Sequence, residues 1–304
     1  MSEILKNLYI SDFDYKLPKK VIAKYPSQKR DEAKLLVVDK KRDKVSDKKF
    51  YNILDYLKNG DLLILNETKV LPVRLFGNKQ GMKKLIEILL IRPLGENWLC
   101  LVRPGKRLKT GDSILFSKDF TGKIIETNTD GSKEIKLISE NNFSIKENIK
   151  KYGNMPIPPY LKRDAEEKDK IDYQTVYAKN EGSVASPTSG LHWTKKLLGG
   201  VKEKGVDIEK ITLSIGLGTF LPVSVDKIEE HKMHSESFTI SKRVADKINA
   251  AKKNSGRIIA CGTTVIRALE AAGETGKVRA INGSTDIFIY PPYDFKIVDG
   301  LITN

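Results

Sequence analysis

Apolar residues along this chain recur at two different periods, and the change of period divides it. Residues 33–39, Ala-Lys-Leu-Leu-Val-Val-Asp, form an apolar run of strand length, and residues 39–47 follow as a charged turn. In residues 49–57, Phe50, Ile53, Leu54 and Leu57 fall at helical spacing, and Asn59-Gly60-Asp61 stops that helix. Leu62-Leu-Ile-Leu65 reads as a short buried strand. From residue 73 to residue 149 short apolar segments dominate, among them Leu85-Ile-Glu-Ile-Leu-Leu-Ile91, Trp98-Leu-Cys-Leu-Val102 and Glu134-Ile-Lys-Leu-Ile138. Pro104-Gly105, Thr110-Gly111-Asp112 and Asp130-Gly131 separate them, which is the spacing of a small all-β sandwich or barrel. The prolines of residues 152–160 forbid a helix in the return linker.

Beyond it, helix and strand patterns alternate. Residues 173–177 read as a strand. A helix from Thr194 buries Leu197, Leu198 and Val201, and residues 211–215 form a strand. A helix capped by Ser241 buries Val244, Ile248 and Ala251. Residues 257–261 form a strand, a helix runs through Glu270, and residues 285–290 form the last strand. The predicted fold is a mixed α/β large domain with an inserted small all-β barrel. The discontinuous α/β part covers residues 1–72 and 150–304, and the barrel covers residues 73–149.

A hydrophobic fraction of 39% is adequate for a packed core, and the net charge of +15 favours a polyanionic partner over a merely solvated basic surface. Basic clusters lie at residues 16–24, at Lys40-Lys41-Arg42 with Lys44, and at Arg103, Lys106, Arg107 and Lys109. Neither a secretory pattern nor an apolar run of membrane length is read, and Cys100 and Cys261 are isolated, which excludes a disulfide framework and a zinc ribbon. The expectation is a cytoplasmic chain.

Candidate chemistry concentrates in residues 184–238, which hold all three histidines, His192, His231 and His234. Gly216-Leu-Gly218-Thr219 follows a strand but lacks a third glycine, and Leu221-Pro222 stands where a dinucleotide-binding helix would begin. Gly262-Thr263-Thr264 joins strand to helix, where an anion or an ordinary capped turn both fit. Glu230-His231-x-x-His234-x-Glu236 is not a zinc-protease motif, so acid/base work or substrate contact is preferred to a metal, and no metal site is assigned. If extended, His234 and Glu236 share a strand face, so that the carboxylate would orient the imidazole. Asp286 is a lone acid in an apolar strand.

Several motifs, taken together and in order, resemble one family. They are Ser11-Asp-Phe-Asp-Tyr, Gly60-Asp-Leu-Leu-Ile-Leu-Asn66-Glu-Thr-Lys-Val with Arg74-Leu-Phe-Gly77, and Ala185-Ser186-Pro-Thr188-Ser-Gly190-Leu-His192. The series continues with Gly218-Thr219-Phe, Glu230-His-Lys-Met-His-Ser-Glu236, Gly262-Thr-Thr264 with Arg267, and Thr285-Asp286-Ile-Phe-Ile289. The chain resembles the QueA family, the S-adenosylmethionine:tRNA ribosyltransferase-isomerases of queuosine biosynthesis. That resemblance implies an α/β domain with an inserted β-barrel. It also implies transfer and isomerisation of the ribosyl part of S-adenosylmethionine onto 7-aminomethyl-7-deazaguanine at the tRNA wobble position, with epoxyqueuosine, adenine and methionine as products. S-adenosylmethionine is then a co-substrate, no further cofactor is expected, tRNA is the partner, and the enzyme is expected to be a monomer. Catalytic residues are expected among His192, His231, His234 and Glu236. Substrate contacts are expected among Asn66, Arg74, Ser186, Thr188, Gly190, Gly216, Gly218, Thr219, Thr263, Thr264, Arg267 and Asp286. Family members are expected to continue past Asn304 with a further segment. A non-catalytic tRNA-binding protein and a metal-dependent hydrolase using the histidines are the other readings.

Overall fold

A computed structural model describes residues 8–82, 84–216, 218 and 223–304. The described residues begin with short 3-10 turns, the first at Ile10–Phe13, and then form a hairpin of β1 (Lys34–Asp39) and β2 (Lys44–Lys49). Residues 44–47, expected as the end of a charged turn, are therefore strand. The turn itself is confined to residues 40–43, where Asp43 adopts φ 49°. The expected helix of residues 49–57 is a 3-10 helix, Phe50–Tyr56. It still buries Phe50, Ile53 and Leu57, because spacings of three and four residues bring side chains to one side in either helix type.

Strands β3 (Leu62–Asn66) and β4 (Thr68–Val70) lead into β5 (Arg74–Gly77), β6 (Ile86–Leu94), β7 (Asn97–Arg103), β8 (Ser113–Ser117), β9 (Phe120–Thr127) and β10 (Lys133–Ser139). The last six form one sheet in the order β5-β6-β7-β10-β9-β8. Asn78 and Leu115 exchange two backbone hydrogen bonds of 2.9 Å, which nearly closes that sheet on itself. Its alternating inward residues, including Leu75, Ile86, Ile88, Leu90, Phe120, Ile124 and Ile135, form one core. Helix α1 (Ile145–Tyr152) is capped by Ser144 and Glu147 and packs Ile145, Ile149 and Tyr152 onto the same core. The linker returns alongside β5, where Arg74 and Asn154 pair through their backbones.

Helix α2 (Asp169–Asp172) precedes residues 173–177, which are expected as a strand but form a turn. Their burial still alternates, and the Gln174 side chain reaches across to the backbone of Val70. It donates to the Val70 carbonyl at 2.6 Å and accepts from the Val70 N–H at 3.2 Å. Then follow β11 (Asn180–Ser183), α3 (Lys195–Glu203), β12 (Asp207–Leu213), β13 (Glu236–Ile240), α4 (Lys242–Lys253), β14 (Ile258–Cys261), α5 (Thr263–Ala272), β15 (Ile281–Thr285) and β16 (Gly300–Ile302). The last long strand thus ends at Thr285, where sequence reasoning began it. Beyond Thr285, which still pairs with Glu236, the Ile287 carbonyl accepts from Arg267 of α5 and the strand does not continue.

The central sheet has the order β15-β13-β12-β3-β14-β16. β12, β3, β14 and β16 run parallel; β13 is antiparallel to β12 and to β15. β3 is buried on both sides, which its unbroken apolar sequence anticipates. Leu62 and Ile64 meet α4 and α5, while Leu63 and Leu65 meet Phe50, Trp193 and α3. Cys100 and Cys261 are buried in separate cores, and burial pushes both thiols up to about 12. No helix among the described residues is long and apolar enough to cross a membrane.

Candidate active site

Strand directions bring the candidate residues to one edge. β3, β12, β14 and β16 end there, β15 runs the same way, and antiparallel β13 begins there. In open α/β sheets ligands bind outside the carboxyl ends of strands, at the point where the strand order reverses. Here β3 is that point, with β12 on one side and β14 on the other.

Asn66 ends β3 and is fully buried. Its amide exchanges two 3.0 Å hydrogen bonds with the backbone of Leu213, accepts from the Thr68 N–H at 3.2 Å and donates to the Thr264 hydroxyl at 3.4 Å. It splices the sheet where the two strands part. Gly262 follows β14 with φ 103°, a conformation that favours glycine, and a Cβ there would stand 3.7 Å from the Ser189 hydroxyl. Thr263 is exposed at the start of α5, and Thr264 faces Asn66.

The loop of residues 185–192 lies against this turn. The Ser186 hydroxyl is buried and has no hydrogen-bond partner among the described residues. Gly190 is forced by packing, since a Cβ there would stand 2.2 Å from the Tyr177 hydroxyl. Thr188 begins the short 3-10 turn that holds Gly190. His192 sits on the α3 side of the sheet, its ring centroid 5.2 Å from that of Phe50 and its Nε2 2.9 Å from the Asn304 side-chain oxygen.

Glu236 and Arg267 form the ionic centre of the edge. Glu236 starts β13 opposite Thr285 and is 5% exposed. One carboxylate oxygen accepts from the Gly216 N–H at 3.1 Å and the other pairs with Arg267. Burial pushes the carboxyl up, while Arg267 and the Gly216 N–H pull it back. Arg267 also donates to the carbonyls of Ile287 at 3.0 Å, and of Thr285 and His234 at 3.3 Å. One guanidinium therefore ties together the ends of three segments.

His234 lies just before β13 rather than on it, and it is exposed where Glu236 is buried. The Glu236 carboxylate is thus spent on Arg267 and Gly216, and His234 is its electrostatic neighbour instead of its bonded partner. The His234 ring packs against Gly218, where a Cβ would stand 2.8 Å from it. Asp130, in the β9–β10 turn, is also near: the Ser132 hydroxyl and N–H hold its carboxyl below the usual range, and His234 adds to that. His231 turns its ring edge-on to Phe288 at 5.0 Å, beside a cleft of about 410 Å³ lined by Ile228, Phe288, Tyr290 and Tyr293.

Asp286 follows β15 and is exposed. Arg74 lies in the wall of the six-stranded barrel-like sheet, 3.2 Å from Glu87 and donating to the Ile157 carbonyl at 3.2 Å. Thr219 lies outside the described residues. No group of three or more His, Cys, Asp or Glu that could hold a metal ion is found among the described residues. Sequence reasoning did not single out Ser189 beside Gly262 or Tyr177 beside Gly190, since nothing local marks a residue that meets the site only through packing.

The family described as "Queuosine biosynthesis protein" matches residues 10–304. The S-adenosylmethionine:tRNA ribosyltransferase-isomerase of Sulfurihydrogenibium sp. (strain YO3AOP1) is 51% identical over 296 residues, spanning 97% of this chain and 86% of that protein. The protein of the same name from Finegoldia magna is 47% identical over 295 residues, spanning 96% and 84%. The crystal structure of S-adenosylmethionine tRNA ribosyltransferase from Thermotoga maritima covers 96% of this chain and 84% of its own at 30% identity, with a TM-score of 0.49. With the family match running almost end to end, and relatives this similar across nearly all of the chain, the protein belongs to the queuosine biosynthesis family of S-adenosylmethionine:tRNA ribosyltransferase-isomerases.

Proposed function

We propose that this chain transfers and isomerises the ribosyl part of S-adenosylmethionine onto 7-aminomethyl-7-deazaguanine at the wobble position of tRNA, releasing adenine and methionine. The reaction runs along the carboxyl edge of the central sheet. The Glu236–Arg267 pair carries that location, because a buried ion pair joins Gly216, His234, Thr285 and Ile287 at the ends of separate segments.

A sulfonium makes the adjacent C5′ proton acidic, so removal of that proton starts the chemistry and adenine departs as the ribose opens. The base must be free to accept a proton. Glu236 has both oxygens committed, so it is a positioning residue. His234 is exposed at the same edge, and an imidazole is suited to proton transfer near neutral pH, so we assign it the base. Asp286, exposed beside it, suits a ribose hydroxyl or the sulfonium charge. The Ser186–Gly190 loop and the Gly262–Thr264 turn line the other half of the edge, and His192 closes it on the α3 side. Arg74 serves the barrel wall.

In the same reading residues 73–149 are an insertion in a discontinuous α/β body of residues 1–72 and 150–304. Hydrogen bonding of β5–β10 among themselves supports that division. The enzyme acts as a monomer in the cytoplasm, where it meets tRNA.

Single-turnover adenine release at saturating S-adenosylmethionine and modified tRNA tests the assignment. His234→Ala is expected to slow release by roughly 10²–10⁴ while S-adenosylmethionine still binds, the range for a lost general base. Wild-type rates in His234→Ala with release abolished in Glu236→Gln would move the base to the carboxylate. Absence of adenine release by the wild type would overturn the function itself.

A further inference from the structure

The β1–β2 hairpin contributes little to the core. Leu35 leans against the cluster around Phe50 and Trp193, but the opposite face points to solvent. On that face the register pairs Val38 with Val45 and Leu36 with Asp47, between the Lys34–Lys49 pair at the root and the turn at the tip. Leu36, Val38 and Val45 are 61%, 58% and 61% exposed. The turn carries Lys40, Lys41, Arg42 and Asp43, and Lys44 follows as the first residue of β2, all exposed. Asp39 organises this turn by accepting from the N–H groups of Lys41 and Arg42.

A hairpin that merely kept the chain soluble would not hold three aliphatic side chains in a row beside its lysines. Its position adds direction. Phe50 follows β2 directly, donates its N–H to the Ala33 carbonyl at 2.8 Å across the root, and lays its ring on His192. The hairpin therefore springs from the sheet edge assigned to the reaction. Six residues of strand carry the tip roughly 20 Å from that root.

We propose that this hairpin is a tRNA-docking finger. Its basic tip contacts backbone phosphates away from the reacting base, and Leu36, Val38 and Val45 rest on ribose or base faces between tip and root. Charge complementarity selects RNA over a protein partner, since a polyanion matches a tip whose four cations outnumber Asp39, paired with Arg42 at 3.7 Å, and Asp43. The inference rests on the tRNA-modifying reading above.

The test uses the full chain with Lys40, Lys41, Arg42 and Lys44 all changed to Ala, and a second variant, Leu36→Ser/Val38→Ser/Val45→Ser. Both are measured for thermal stability, oligomeric state, and binding of unmodified and modified tRNA as salt is varied. KM and kcat for adenine release are measured alongside. The tip variant is expected to weaken tRNA binding and raise KM for tRNA at least tenfold, with kcat within about twofold. Its dependence of log K on log salt should be shallower by about 0.7–0.9 for each phosphate it no longer neutralises. The aliphatic variant is expected to weaken binding with the salt slope unchanged. Folded variants with wild-type tRNA affinity and slope would overturn the proposal. So would a wild-type dimer that the aliphatic variant dissolves without loss of tRNA affinity, which would make the face an interface between copies. Binding is read without turnover, so a wild type that binds tRNA through the hairpin yet releases no adenine would sink the activity and spare the finger.

Discussion

The protein contains two six-stranded sheets that solve opposite problems. In the barrel-like sheet sequence neighbours pair: β5 with β6, β6 with β7, β8 with β9, β9 with β10, all antiparallel. Its polar residues satisfy one another locally, as where Asp119 accepts from Ser117, Asn141 and Tyr152 and is held at about 2, mainly by Ser117. In the central sheet β3 pairs with β12 and β14, distant in sequence, and the strand ends gather at one edge. Its polar residues, Asn66, Glu236, Arg267 and Thr285, bond across that edge between segments. Local closure makes a stable body with few loose ends. Distant parallel pairing leaves an assembled row of loops, and chemistry needs that row.

The comparison breaks most visibly at Arg267. Arg267→Ala leaves Glu236 buried with one hydrogen bond, and losing one partner of a buried pair costs about 3–5 kcal/mol. Urea denaturation should show that loss, with adenine release falling further than stability explains. A variant with near wild-type stability would mean that the pair contributes little to the edge.

The barrel-like sheet offers the matching control. Ile88 is fully buried in its core, so Ile88→Ala should cost about 2–5 kcal/mol. Where the variant is folded, kcat for adenine release is expected to stay within about twofold of wild type. A large drop in kcat would show that the β9–β10 turn, which brings Asp130 near His234, couples the two sheets.

The smallest effect sharpens the seam between them. Glu181 on β11 is held at about 2 by hydrogen bonds from Lys146 and Lys150 of α1. Because its folded pKa lies below the ordinary carboxylate value of about 4.3, the contribution to stability is complete above that value. It is lost as pH falls toward 2. Melting temperature measured from pH 6 to pH 2 should fall less steeply in Glu181→Gln than in wild type. Parallel curves would place the acid sensitivity elsewhere, with Asp119 the next group to test.

Much of the molecule was readable in residue order. The strands of the barrel-like sheet, the Ser241 and Thr194 helix caps and the buried Leu62–Leu65 strand are set by periodicity and capping, which act over a few residues. The misread segments share a cause. Residues 173–177 and 285–290 have strand-like patterns, but the Gln174 side chain bonds the Val70 backbone and Arg267 takes the Ile287 carbonyl, contacts between distant segments that no local pattern encodes. The 44–49 strand was hidden by its charge, because a hairpin standing in solvent needs little apolar sequence of its own.

Among the site residues, sequence alone determined which types were available and that the three histidines clustered in residues 184–238. Hydrogen-bond capacity and titration are properties of single side chains. Which carboxylate faces which cation was decided by tertiary structure. Glu236 stands two residues from His234 yet bonds to Arg267, thirty-one residues away, because the first residue of β13 points into the sheet while His234 remains outside it. Adjacency in sequence sets a distance along the backbone; only the packing of β13 against β12, β15 and α5 sets the direction in which each side chain leaves it.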